Sequence, residues 1–113
     1  MEMIVHLDSD IFDIVDSGTK DVEIRLNDEK RRQLKVGDTL VFLRRPDDID
    51  SIEATITNLV YLNSFEDAFN SYEMKRVYLE NTSKEDYINL MKRFYSDEEV
   101  SKYGVVAIEF KLN

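Results

Sequence analysis

The sequence contains no cysteine and a single histidine. The first absence excludes disulfides, thiolate metal ligands and cysteine nucleophiles. The second excludes sites built from paired imidazoles and leaves a serine triad dependent on His6 alone. No metal site and no cofactor is expected. No run of about eighteen apolar residues occurs, and no basic segment followed by a long apolar stretch opens the chain. A cytoplasmic protein without a membrane partner is therefore expected. The chain has one proline and three glycines, and no internal repeat, linker or low-complexity tract.

What is present is enough for one domain. The 113 residues are 42% hydrophobic and 35% charged, a balance that buries one core and keeps the surface polar. Fifteen Lys and Arg stand against 24 Asp and Glu, a formal net charge of -9. That average disfavours long duplex DNA and anionic membranes, where a basic surface supplies the attraction. The charge is not spread evenly. Lys20 to Arg45 holds eight bases and five acids, a net +3, and the remainder holds seven bases and nineteen acids, a net -12.

Met3 to Leu7 reads as a short strand. Asp8 or Ser9 follows as a helix N-cap, then an apolar stripe of Ile11, Phe12, Ile14 and Val15 closes at Gly18. From Lys20 to Leu26, Val22, Ile24 and Leu26 alternate with Asp21, Glu23 and Arg25, the period of a half-buried strand on which Glu23 and Arg25 point the same way. Asn27 to Leu34 is a polar turn or a single helical turn. Lys35-Val36-Gly37-Asp38 then turns the chain into a third strand over Thr39 to Arg44. Pro46 opens an acidic loop to Asp50, and a hairpin leads into a long strand from Ile52 to Leu62, with Ile52, Ala54, Ile56, Val60 and Leu62 inward. Ser64 with Asp67, Thr82 with Glu85, and Ser96 with Glu99 are capping signals, so the C-terminal half is partly helical. Its best helix, Ser83 to Tyr95, repeats Tyr87, Leu90, Met91 and Phe94 at helical spacing, which reads as core rather than as a ligand platform. Val105 to Leu112 alternates as a last strand. Too few helices separate the strands for a doubly wound parallel sheet. The expectation is an α+β fold: a small barrel of about five or six mixed or antiparallel strands, with short flanking helices across its openings.

Lys20, Glu23 and Arg25 lie within six residues, at the corner where a glycine-ended helix meets a strand. The run from Gly18 to Phe42, with this Lys-x-x-Glu-x-Arg core, then Asn27-Asp28 and Lys35-Val36-Gly37-Asp38 leading into an apolar strand, resembles an ASCH domain of the PUA-like superfamily. The likeness continues through Tyr103-Gly104-Val105 to Ile108-Glu109-Phe110, so residues 1–113 are expected to form a single domain of this kind. The resemblance implies a small PUA-like β-barrel with a cleft beside it, lined by Lys20, Glu23 and Arg25, that holds RNA or a nucleotide-like or nucleoside-like small ligand. The residue types suit that chemistry. A lysine is a point charge for phosphate, an arginine a planar fork for phosphate or a base edge, and a carboxylate between them accepts from a base amine or a ribose hydroxyl. Arg31 and Arg32 add to the basic stretch as further RNA-binding candidates. The same residues equally make a structural reading, with Lys20, Glu23 and Arg25 an ion-paired corner and Lys30 to Arg32 a solvated turn.

One branch of the family resembled here removes the acetyl group from acetylcytidine, using the motif lysine, a threonine three residues later as nucleophile and a glutamate from a later segment. Lys20 matches that pattern, but Glu23 occupies the threonine's place, and Thr19 lies on the wrong side of the lysine. Glu66 and Glu73 are candidates for the later acid. Without the hydroxyl, the remaining catalytic reading makes Glu23 a general base on water and Lys20 the group that steadies an oxyanion. The expected function is RNA or nucleotide binding. The alternatives are a hydrolase, either an amidohydrolase on acetylcytidine-like nucleosides or a ribonuclease, and a protein-interaction or regulatory module that uses the acidic helical half.

The other candidates are weaker. His6, on an alternating strand, reads as a packed or surface histidine. Tyr61, Phe65, Tyr72 and Tyr78 offer a stacking surface, although aromatics at element boundaries are usually core. Asp47, Asp48 and Asp50 lack the glycine and distal glutamate of a calcium loop, so a solvated turn accounts for them.

Overall fold

Alternating apolar residues build the first strand of the computed structural model, which describes residues 1–113. Strand β1 (Glu2–Leu7) buries Met3, Val5 and Leu7 and leaves Glu2, Ile4 and His6 outside. Helix α1 (Ser9–Asp16) lays Ile11, Phe12 and Val15 on the same core and ends before Gly18, whose φ of +83° turns the chain back. Strand β2 (Val22–Leu26) follows. A 3-10 turn over Arg31–Gln33 then leads to β3 (Thr39–Arg44) and the long β4 (Ser51–Leu62). The strand order is β1-β3-β4-β5-β2, with β5 at Val105–Leu112; β1 and β3 are parallel and every other pair is antiparallel. The result is a mixed five-stranded sheet, curled into a half-barrel and flanked by five helices. β1 and β2 are its two free edges.

Two apolar clusters hold this sheet. The first lies on the face of Val5, Phe42, Ile56, Ile108 and Phe110, under α1. The second lies on the opposite face, where Val22, Ile24, Val105 and Ala107 meet the C-terminal helices through Phe65, Ala68 and Val77. Strand β2 is therefore covered on both faces rather than half-buried: Glu23, paired opposite Ile108, is only 7% exposed. The strand period correctly placed Glu23 and Arg25 on one face but could not reveal what packs over it. A register irregularity between Ile56 and Asn58 also changes the phase of β4. Ala54 and Ile56 face the first cluster and Val60 and Leu62 the second, so the single inward face expected for this strand is split by one bulge.

The C-terminal half holds α2 (Phe65–Ser71), α3 (Met74–Val77), α4 (Lys84–Phe94) and α5 (Asp97–Tyr103). Ser64 caps α2 and Ser96 with Glu99 forms the reciprocal capping box of α5. The cap of α4 is Ser83, accepting from the Asp86 amide, one residue beyond the expected Thr82. Both Thr82-x-x-Glu85 and Ser83-x-x-Asp86 fit a short-hydroxyl-to-acid spacing, and the chain uses the second. Tyr87 is buried, but Phe94, in the same stripe, is 65% exposed. The helical spacing predicts a stripe that is core throughout; Tyr87 is buried and Met91 packs partly on the second cluster, but Phe94 lies largely in water. No helix is long and apolar enough to cross a membrane.

Gly104 joins α5 to β5 at φ +73° and ψ -170°, a region essentially closed to residues with a Cβ, and a Cβ there would sit 3.1 Å from the Leu62 carbonyl oxygen. Gly104→Ala is expected to lower unfolding free energy by about 1–3 kcal/mol in urea titration. An alanine variant as stable as the parent would show that this corner relaxes freely.

Candidate functional site

Lys20 is drawn inward by the corner that precedes β2. Its amide donates to the Ile14 carbonyl at the end of α1, and the next amide, Asp21, donates to the Arg76 carbonyl of α3. Lys20 and Glu23 are the only charged residues buried in the protein. The Lys20 Nζ donates to the Val22 carbonyl at 2.5 Å, to the Val77 carbonyl at 2.7 Å and to Glu23 Oε1 at 3.2 Å. Three acceptors need three protons, which only the ammonium form supplies. Val77 ends α3, so its carbonyl is one of those a short helix leaves without an internal partner. Arg25 Nη2 donates to the other carboxylate oxygen, Glu23 Oε2, at 3.3 Å. Glu23 is thus bracketed by two cations.

The electrostatics follow from this geometry. Burial lowers the Lys20 pKa from its ordinary value, with Glu23 opposing the shift. Burial alone would raise the Glu23 pKa, but Lys20 and Arg25 together outweigh it and hold the carboxyl below the usual range. The Glu23 carboxylate raises the Arg25 pKa against burial, so that guanidinium stays charged. An ionised carboxylate held this way is a poor general base, and a lysine with all three protons committed has none to offer an oxyanion.

Above this set lies a cleft of about 440 Å³ between the two free edges of the half-barrel. His6, Asp8 and Ile11 come from the β1 side, and Lys20, Glu23 and Arg25 from β2 and the corner before it. Tyr87, Met91, Phe94 and Tyr95 come from α4 and its C-cap. Arg31 and Arg45 add two more cations. Arg31 Nη1 is paired with Asp28 at 2.8 Å, whereas Arg45, 57% exposed, reaches Asp8 only at 3.8 Å. A larger and more open depression of about 700 Å³, over Glu80, Asn81, Asp86 and Arg93, contains neither buried charge.

Four of the five expected ligand-binding residues therefore meet in one place: Lys20, Glu23, Arg25 and Arg31. Arg32 does not join them. Successive residues of a 3-10 turn point about 120° apart, and Arg32 instead donates to the carbonyls of Asn27 and Tyr103, with its guanidinium over the Tyr103 ring. Glu66 and Glu73 lie outside the cleft, paired with Lys84 and Lys75. Thr19 bonds Ser17 at the surface, and no serine or threonine lines the cleft. Of the four candidate stacking aromatics only Tyr78 lines it; Phe65 is core, Tyr72 donates to Glu109, and Tyr61 is exposed elsewhere. His6 is half-exposed at the cleft, 3.2 Å from Asp48. Asp50 pairs with Arg44 and Asp47 accepts from the Ile49 amide, so the acidic loop is held by its own turn and ion-pair contacts. Arg45, Phe94 and Tyr95 were missed because an arginine just past a strand and aromatics at the end of a helix carry no sign of which gap they border.

Comparison with known proteins gives this site a context. The sequence pattern of the ASCH domain matches residues 5–113. The chain belongs to the ASCH domain family. Two solved structures resemble this ASCH domain over nearly their full lengths. One is the crystal structure of the hypothetical protein PH0355, 29% identical, covering all of both chains with a TM-score of 0.85. The other is the solution structure of protein PF0455 from Pyrococcus furiosus, 32% identical, covering 99% of this chain and 97% of that one with a TM-score of 0.76. No curated protein matches.

Because the Glu23 pKa is lower in the folded chain than in the unfolded one, its contribution to stability is complete above about pH 4.5 and is lost as the pH falls through the folded value. Glu23→Gln leaves the buried Lys20 ammonium without its counter-charge and is expected to lose about 3–5 kcal/mol at pH 7. The loss should shrink towards acid, where the parent carboxyl is protonated too. Urea unfolding of both proteins from pH 7 to pH 3 measures this, and a constant difference across that range would contradict it.

Proposed function

We propose that this ASCH domain binds RNA or a nucleotide-like ligand in the cleft between β1 and β2. The observation that carries the reading is the sign of the charge there. Four bases, Lys20, Arg25, Arg31 and Arg45, stand against two acids, Asp8 and Glu23, an excess of two positive charges in a chain of net charge -9. An acidic protein with one cationic cleft attracts an anion small enough to enter it and repels a long polyanion elsewhere on its surface.

The roles divide by exposure. Lys20 is a positioning residue: its protons are spent on Val22, Val77 and Glu23, and it fixes the carboxylate that in turn aims Arg25. Arg25 uses one nitrogen for Glu23 and keeps further donors for a phosphate or a base edge. Arg31 adds charge close by. Binding is favoured over hydrolysis because the cleft has no serine, threonine or cysteine nucleophile and its carboxylate is held ionised by two cations.

Arg25→Ala removes the forked donor and leaves Glu23 neutralised by Lys20, so the fold should survive. Affinity for single-stranded RNA or nucleoside monophosphates is expected to fall about tenfold or more by fluorescence anisotropy or calorimetry. Arg25→Lys should recover only part of it, and Arg32→Ala, outside the cleft, none should be lost. Parent-like binding by Arg25→Ala would overturn the proposal.

A further inference from the structure

Phe94 is the one exposed large aromatic on the cleft wall. It sits in the last turn of α4, where the apolar stripe has run past the core that Tyr87 enters. Neighbouring Tyr95 is held differently, its ring stacked on Phe65 at 5.5 Å and 13° in the second core. Packing therefore accounts for Tyr87 and Tyr95, but it leaves Phe94 65% open to water on the wall of a cationic cleft. Arg45 is exceptional in a second way. Arg25 and Arg31 have carboxylate oxygens at 3.3 and 2.8 Å, but the nearest carboxylate to Arg45 is Asp8 at 3.8 Å, with both side chains more than half exposed. It is the cleft cation most readily exchanged from its partner to a phosphate.

We propose that the cleft takes one unpaired nucleotide, its base laid on Phe94 and its phosphate on Arg45, with Arg25 and the remaining acceptor capacity of Glu23 at the base edge. This rests on the reading of the cleft as an RNA- or nucleotide-binding site and narrows it. The volume of about 440 Å³ is towards the lower end of small-ligand pockets, roughly 300–1,000 Å³. A double helix keeps its base faces stacked inward and cannot lay one on an aromatic ring, whereas a splayed single-stranded base fills the pocket and stacks there. The acidity of the rest of the chain acts the same way, since it opposes the long backbone track that a duplex or a many-nucleotide strand needs.

The test is fluorescence anisotropy with labelled single-stranded hexaribonucleotides, the same sequences as duplexes, and the four nucleoside 5′-monophosphates as competitors. Phe94→Ala, Arg45→Ala and Arg25→Ala are each compared with the parent. Phe94 and Arg45 are exposed, so their variants should fold, which circular dichroism checks. The expected result is single-strand binding, competition by monophosphates and little duplex binding. Phe94→Ala should weaken affinity about tenfold with Phe94→Trp restoring it, and Arg45→Ala should reduce the salt dependence by about 0.7 in log K per log salt. Duplexes binding as well as single strands, or Phe94→Ala and Arg45→Ala binding as the parent while Arg25→Ala does not, would overturn the single-nucleotide inference and leave the cleft as a binding site. Binding of none of these probes would overturn both. A protein partner captured through Phe94 with no nucleotide affinity would replace them with a docking surface.

Discussion

The Lys20 ammonium has three protons and meets three fixed acceptors, two of them backbone carbonyls from different parts of the chain. Taking such a group out of water costs several kcal/mol unless its partners are complete and well placed. Here they tie together the beginning of β2, the end of α3 and the carboxylate of Glu23. Everything that borders the cleft on that side depends on this arrangement: α3 is held against the β2 corner, Glu23 is held ionised, and Arg25 is held in reach of the space between the sheet edges. Lysine is thus the least accessible member of its own motif. Its protons are all engaged within the protein, so it shapes the cleft by adding its charge and by fixing the carboxylate of Glu23.

The curled sheet supplies the other condition. In a fully closed barrel β1 would pair with β2 and the motif would be sealed inside. The strand order β1-β3-β4-β5-β2 instead leaves those two strands as free edges, and the gap between them is the cleft. Helix α4 covers the gap only in part, because its apolar stripe enters the core at Tyr87 and leaves it at Phe94. A buried ion set at the base and an exposed aromatic on the wall are consequences of one topology.

Much of this was legible in the residues. Alternation and apolar runs bounded by turns found all five strands, the Lys-x-x-Glu-x-Arg spacing found three residues that do meet, and Gly18 and Gly37 marked real turns. What sequence could not supply was anything set by long-range contact. The phase change of β4 depends on one extra residue between Ile56 and Asn58, which no composition signals. The burial of Glu23 depends on helices more than fifty residues away, since Val77 is 57 residues from the lysine it binds. Arg31 and Arg32 look alike as neighbours, and only the 3-10 turn separates one into the cleft and the other onto Tyr103. The helical period of Tyr87 to Phe94 was correct as a helix and misleading as a core, because periodicity reports that a face is apolar and not how much of it is covered.

The central claim is that Lys20 builds the site and Arg25 meets the ligand. A crystal structure of the protein with a nucleoside monophosphate bound tests it most directly. The account predicts a ligand between β1 and β2 touching Arg25, with the Lys20 Nζ still on the Val22 and Val77 carbonyls and Glu23. A phosphate or base in direct contact with Lys20 Nζ, having displaced one of those acceptors, or a ligand bound away from the cleft, would contradict it.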